Sequence, residues 1–171
     1  PIDHPDFNEV IDYVEHHPDD LNIGWCISDA FIDALNNSDN VAIAKYQRLL
    51  KVKAVTGKGY MFFTDKVNAL SPQCYKDRGL DVKASNLCPE ITLHSDKDHT
   101  FTCVLSSMNL EKYDEWKDTD AVFVSTVFLD CVASEFISLA KNIPGMASAV
   151  AFTTKSRALG LGALGFHTYL Q

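Results

Sequence analysis

Short apolar runs alternate with stretches of helical periodicity along the chain, and this alternation constrains the fold more than any other feature. Phe7, Val10, Ile11 and Val14 recur at the spacing that places side chains on one face of a helix. Pro5 suits the start of that helix, and His16-His17-Pro18 ends it. The apolar stretch 21–27 reads as a strand, and Ser28 is placed to cap a short helix reaching residue 35. Asp39 caps a third helix running to about residue 55, with Gly57 as its stop. Tyr60-Met61-Phe62-Phe63, bounded by Gly59, reads as a buried strand, followed by a helical turn that Ser71-Pro72 closes. Residues 73–84 read as a polar loop, 85–93 as extended and 101–105 as a strand. Asp118 or Asp120 caps the longest helix, roughly 121–142. Pro144-Gly145 breaks it, another helix runs to about residue 157, and a glycine-rich turn leads into a last helix. Helices alternating with short buried strands predict an α/β architecture. Neither a repeat nor a linker interrupts the chain, so residues 1–171 are expected to form one segment of a single domain.

Charge and cysteine content narrow the function. The net charge is −8 and lysine and arginine do not cluster, which argues against a nucleic-acid partner. No apolar run is read as reaching the roughly 20 residues that span a bilayer, and no leader pattern opens the chain, so a cytoplasmic protein without a membrane partner is expected. The five cysteines, Cys26, Cys74, Cys88, Cys103 and Cys131, show neither C-x-x-C nor zinc-like spacing with histidine. Cys26 and Cys131 read as buried structural thiols; Cys74, in a polar loop, has no assigned role. His94 and His99 read as residues of a solvated turn, and Asp12, Glu15, Asp19 and Asp20 as a wet helix face.

Ser85-Asn86-Leu87-Cys88-Pro89-Glu90-Ile91 alternates polar and apolar residues. In an extended chain Asn86, Cys88 and Glu90 would share one face, and Leu87, Pro89 and Ile91 the other. Pro89 lacks an N–H and favours a loop or an edge. A carboxylate beside a thiol disfavours a thiolate nucleophile, so the pattern fits chemistry of the neutral thiol, with the carboxylate as a separate base. One-electron chemistry meets that demand, because a thiyl radical carries no charge.

The stretch Ser85-Asn86-Leu87-Cys88-Pro89-Glu90-Ile91-Thr92-Leu93 closely resembles the finger-loop signature of ribonucleotide reductase large subunits. Phe101-Thr102-Cys103-Val104-Leu105-Ser106-Ser107-Met108-Asn109-Leu110 is similar to the same family's second-cysteine strand and its Asn-Leu follow-on. Upstream, Thr56-Gly57-Lys58-Gly59-Tyr60 through Asp65-Lys66-Val67-Asn68 resembles the lead-in to the finger loop. Downstream, Arg157-Ala158-Leu159-Gly160-Leu161-Gly162 resembles a family core motif. The four landmarks fall in the family's order.

The resemblance implies part of the ten-stranded α/β barrel of ribonucleotide reductase, with the finger loop at its centre. It implies that Cys88 carries a transient thiyl radical and takes the 3′ hydrogen of a ribonucleotide. Glu90 would act as base on the 3′ hydroxyl, and Asn86 would hydrogen-bond the substrate hydroxyls. Cys103 would be half of the dithiol pair that reduces the 2′ position. Leu87 between Asn86 and Cys88 is similar to the aerobic class I enzymes. No cofactor is expected on this segment; a metal-containing small subunit supplies the radical. The resemblance also implies nucleoside triphosphate effectors, the remaining large-subunit segments, and a thioredoxin- or glutaredoxin-type reductant acting through C-terminal cysteines. The partner of Cys103, the effector loops, the tandem tyrosines of the radical path and the redox cysteines are expected outside these residues, so the chain reads as a middle piece.

Two other readings compete. One is an assembly piece without activity of its own; the set Asn86, Cys88, Glu90 and Cys103 argues against it. The other is a dinucleotide module resting on Gly160-Leu161-Gly162-Ala163-Leu164-Gly165. That fingerprint needs a strand before it and an acidic residue after it, and the preceding Thr153-Thr154-Lys155-Ser156-Arg157 is polar.

Overall fold

The computed structural model describes residues 1–171, which divide into two compact units, Pro1–His94 and Ser95–Gln171.

In the first unit, local sequence signals set most of the element boundaries. Helix α1 (Phe7–His16) buries Phe7, Ile11 and Val14, the face that the apolar spacing marks. Strand β1 (Gly24–Ile27) is followed by α2 (Asp29–Asn36), whose N-cap Ser28 accepts a hydrogen bond from the Phe31 amide. Asp39 caps α3 (Asn40–Thr56) in the same way through the Ala42 amide. The helix ends at Gly57, which takes the left-handed conformation (φ 72°) that costs glycine least. Strand β2 (Tyr60–Phe63) returns parallel to β1, with Gly24 opposite Tyr60 and Cys26 opposite Phe62. A parallel pair needs a crossover, and α2 and α3 supply it. Two short helices follow, α4 (Thr64–Ala69) and α5 (Gln73–Lys76), the second within the stretch expected to be loop.

One core ties these elements together: Ile2, Phe7, Ile11, Trp25, Ile27 and Leu49 are each 6% exposed or less. Leu49→Ala leaves a void there and is expected to destabilise the protein by about 2–5 kcal/mol. Denaturant unfolding of the large-subunit chain bearing this sequence measures it; an unchanged midpoint would contradict this assignment of the core.

The acidic residues on α1 and just after it are more engaged than the sequence indicates. Arg48 of α3 donates to Asp12 (2.5 Å) and to Glu15. Lys58 pairs with Asp19 (3.1 Å), and the Tyr13 hydroxyl donates to Asp20 (2.9 Å). The Arg48 hydrogen bond holds the Glu15 carboxyl below its ordinary range. The cations come from residues distant in sequence, which periodicity cannot reveal.

The second unit departs further from expectation. Its first strand, β3, spans Leu105–Asn109 rather than 101–105. The earlier stretch packs on the helix that becomes α8 (Ala147–Ser156): the Thr100 amide donates to the Ser148 carbonyl (3.1 Å), and the Thr102 and Thr153 hydroxyls pair at 2.8 Å. After β3 come a 3-10 turn (Leu110–Lys112), a short helix α6 (Tyr113–Trp116) and the long helix α7 (Ala121–Ala140). Arg157 ends α8 in the left-handed region (φ 49°) and fixes that end to α7, donating to the Asp130 carboxylate (2.8 Å) and to the Ser134 hydroxyl (2.9 Å).

The glycine-rich stretch expected to be a turn is a strand, β4 (Gly160–Leu164), parallel to β3 in the register Leu105↔Gly160 to Asn109↔Leu164. A Cβ at Gly160 would lie 2.5 Å from the Leu105 side chain, so the missing side chain permits this pairing. The chain then enters α9 (Phe166–Leu170) through Gly165. Gly160 and Gly162 lie within the strand and Gly165 alone stands at the strand-to-helix junction, whereas the dinucleotide fingerprint needs its first glycines in that turn, which removes the geometric basis of that reading.

Helix α7 also corrects the membrane expectation, because by length and composition it is sufficient to cross a bilayer. It nevertheless carries Asp130, ion-paired with Arg157, and Glu135. Charges at the middle of a membrane helix are costly, and the small buried face of Leu129 and Ala133 packs with Val104 in this unit's own core.

Candidate active site

The candidate segment is held by side chains of the first unit at successive backbone positions. At Val82, which is 1% exposed, the Asn68 side chain accepts from the amide (2.8 Å) and donates to the carbonyl (2.9 Å). This bidentate contact imitates one step of a sheet ladder. At Lys83 the carbonyl accepts from the Cys26 thiol of β1 (3.5 Å). At Asn86 the carbonyl accepts from the Tyr60 hydroxyl of β2 (2.9 Å). Burial pushes the Cys26 thiol above its usual range, so it stays protonated and able to donate.

Beyond Asn86 the chain bends at residues 87–88 and turns at 89–90, which overturns the expectation of an extended run over 85–93. The Ile91 amide donates to the Cys88 carbonyl (3.0 Å), closing a turn over 88–91 with Pro89 at its second position. Proline favours that position because its φ is already set. The Ser85 hydroxyl braces the same turn from inside, 2.9 Å from the Cys88 carbonyl and 2.6 Å from that of Ile91. The Asn86 side-chain oxygen accepts from the Cys88 amide (2.9 Å). Asn86, Cys88 and Glu90 therefore sit together on one braced turn, but simple alternation no longer relates Glu90 to the other two. Cys88 is half-buried, whereas Leu87 and Glu90 are exposed.

Cys103 belongs to the second unit, two residues before β3, and is exposed. Cys131 is exposed too, and Cys26 half-buried, so neither is the fully buried thiol that its apolar surroundings predict. Cys74 is exposed on α5. His94 lies 2.6 Å from the Asp81 carbonyl through Nδ1, and His99 lies 2.9 Å from Asp96. The sequence reading gave no role to Tyr60, Asn68 or Ser85. The available signal was a tyrosine in a strand of otherwise apolar residues, whose hydroxyl must find a partner when the strand is covered.

Comparison with known proteins fixes the class. Residues 45–171, a stretch that runs through both units, match the sequence model of the ribonucleotide reductase barrel domain. The α/β fold is thus that of the family's barrel domain. The Actinobacillus ureae class Id ribonucleotide reductase alpha subunit superposes with a TM-score of 0.90 at 46% identity, over 99% of this chain and 33% of that one. The ribonucleoside-diphosphate reductase large subunit of Invertebrate iridescent virus 3 is 38% identical over 74% of this chain and 20% of its own length. The alpha subunit of the Chlamydia trachomatis enzyme is 31% identical over 73% of this chain and 12% of its own. The chain belongs to the ribonucleotide reductase family, as a segment of the large subunit. It spans a third or less of the length of these relatives.

Proposed function

We propose that this chain is the thiyl-radical-bearing part of a large subunit that reduces ribonucleotides to deoxyribonucleotides. The observation that carries the reading is the braced turn holding Asn86, Cys88 and Glu90, within residues matched to the reductase barrel. A radical on the Cys88 sulfur takes the hydrogen atom from C3′, restoring the thiol and leaving a carbon radical. Glu90 accepts the proton of the 3′ hydroxyl while the 2′ hydroxyl leaves as water. Cys103 and a second cysteine outside this set become a disulfide, supplying two electrons and two protons, one to the departing water and one to C2′, and Glu90 gives its proton back to the 3′ oxygen. Cys88 then returns the hydrogen atom to C3′. Asn86 has two tasks here: its oxygen is committed to the Cys88 amide, and its amide group is the part suited to a substrate oxygen.

The radical originates in a metal-containing small subunit, and the remaining large-subunit segments complete the site. Nucleoside triphosphate effectors bind on those other parts, and a thioredoxin- or glutaredoxin-type protein re-reduces the dithiol pair. The reaction takes place in the cytoplasm, a reducing compartment that suits cysteines kept as thiols.

Cys103→Ser tests the assignment of the reductant. In the assembled enzyme this variant is expected to start the reaction and then fail to reduce the intermediate, so that free base is released and deoxynucleotide is not formed. Chromatography of base and nucleotide products measures both. Normal deoxynucleotide yield from Cys103→Ser would remove Cys103 from the dithiol pair.

A further inference from the structure

Three of the contacts that hold the segment descend along its backbone toward Cys88, and of these three the Tyr60 hydroxyl lies nearest to it in sequence. Asn68 takes Val82, Cys26 takes Lys83, and Tyr60 takes Asn86. Tyr60 acts on the residue whose own side chain holds the Cys88 amide. The connection is therefore short: hydroxyl to Asn86 carbonyl (2.9 Å), then Asn86 side-chain oxygen to Cys88 amide (2.9 Å). Both are side-chain-to-backbone bonds, so they define where the peptide lies without using the thiol.

The tyrosine is itself restrained. It sits in β2 opposite Gly24 of β1, and its ring lies over that glycine. A Cβ at residue 24 would come within 2.3–2.6 Å of the ring and hydroxyl, so the space for this ring exists only because residue 24 is glycine. Burial first, and the neighbouring Cys26 second, push the Tyr60 phenol above its ordinary range. The group thus stays a donor throughout the physiological range, as a carbonyl partner requires.

We propose that Tyr60 is a positioning residue for the radical cysteine, fixing the Asn86 peptide and through it the placement of Cys88 toward the substrate. The inference rests on Cys88 being the hydrogen-abstracting residue. It assigns Tyr60 no part in moving electrons or protons. Its effect belongs to the abstraction step, because displacement of a reacting atom by about 1 Å can cost 10²-fold in rate.

Tyr60→Phe keeps the ring over Gly24 and removes only the hydroxyl. In the large-subunit chain bearing this sequence, assembled with its radical-generating partner, kcat is expected to fall about 10- to 100-fold. KM should stay within about twofold, because substrate contacts are unchanged, and Tm should be preserved because the core is untouched. The decisive readout is the isotope effect on kcat with 3′-deuterated substrate. It should rise above that of the unaltered enzyme, since slower abstraction becomes rate-limiting. An unchanged kcat and isotope effect would overturn the proposal. So would a lower kcat with an unchanged isotope effect and a lower Tm, which would make Tyr60 structural only. Cys88→Ser, measured alongside, separates the two claims. Turnover by Cys88→Ser would refute the reading of Cys88 itself; a dead Cys88→Ser beside a normal Tyr60→Phe would refute only the role of Tyr60.

Discussion

Cys88→Ser is expected to abolish ribonucleotide reduction in the assembled enzyme while leaving the large subunit folded. The substitution exchanges one atom in a side chain that is half-buried on a turn. The turn is held through backbone atoms, by the Asn86 oxygen at the Cys88 amide and by Ser85 and Ile91 at the Cys88 carbonyl. None of these bonds uses the sulfur, so serine fits the same frame. The chemistry does not survive the exchange, because an O–H bond yields its hydrogen atom far less readily than an S–H bond. Activity should fall to background with Tm preserved. Turnover within tenfold of the unaltered enzyme would exclude Cys88 as the radical site.

Glu90→Gln is expected to give the second-largest effect, slowing reduction by about 10² to 10⁴, the usual range for loss of a general base. Glu90 occupies the third position of the 88–91 turn, one residue beyond Pro89, and is exposed. Glutamine preserves shape and hydrogen-bonding capacity but cannot take the proton of the 3′ hydroxyl. The loss should appear in kcat more than in KM, and should not be recovered by raising the pH. Steady-state kinetics across pH measures both. A variant whose kcat matches the parent at neutral pH would remove Glu90 from the base role.

The two units were legible in the sequence to different degrees, for physical reasons. Ser28, Asp39 and Gly57 announce helix ends because capping is a local interaction, complete within a few residues. The sequence places β3 too early and reads β4 as a turn, because strand formation and strand limits depend on a partner far along the chain. Thr100 and Thr102 are drawn to α8 instead, and the ladder begins only where Gly160 admits Leu105. In the candidate site, the residue types Asn86, Cys88 and Glu90 were readable, but their relation was not. Alternation predicts a shared face, whereas Pro89 and the Ser85 hydroxyl convert the run into a turn. Proline at that position was the available sign. The supports from Tyr60 and Asn68 were not legible, because each reaches across the fold to a backbone atom, and backbone atoms leave no trace in residue identity.

Release of tritium from 3′-labelled ribonucleotide tests the central claim most directly, because it reports hydrogen abstraction alone, before any reduction. With the enzyme assembled from the large subunit and its radical-generating partner, Cys103→Ser should release label and Cys88→Ser should release none. Release by Cys88→Ser with none from Cys103→Ser would contradict the account by reversing the two cysteines.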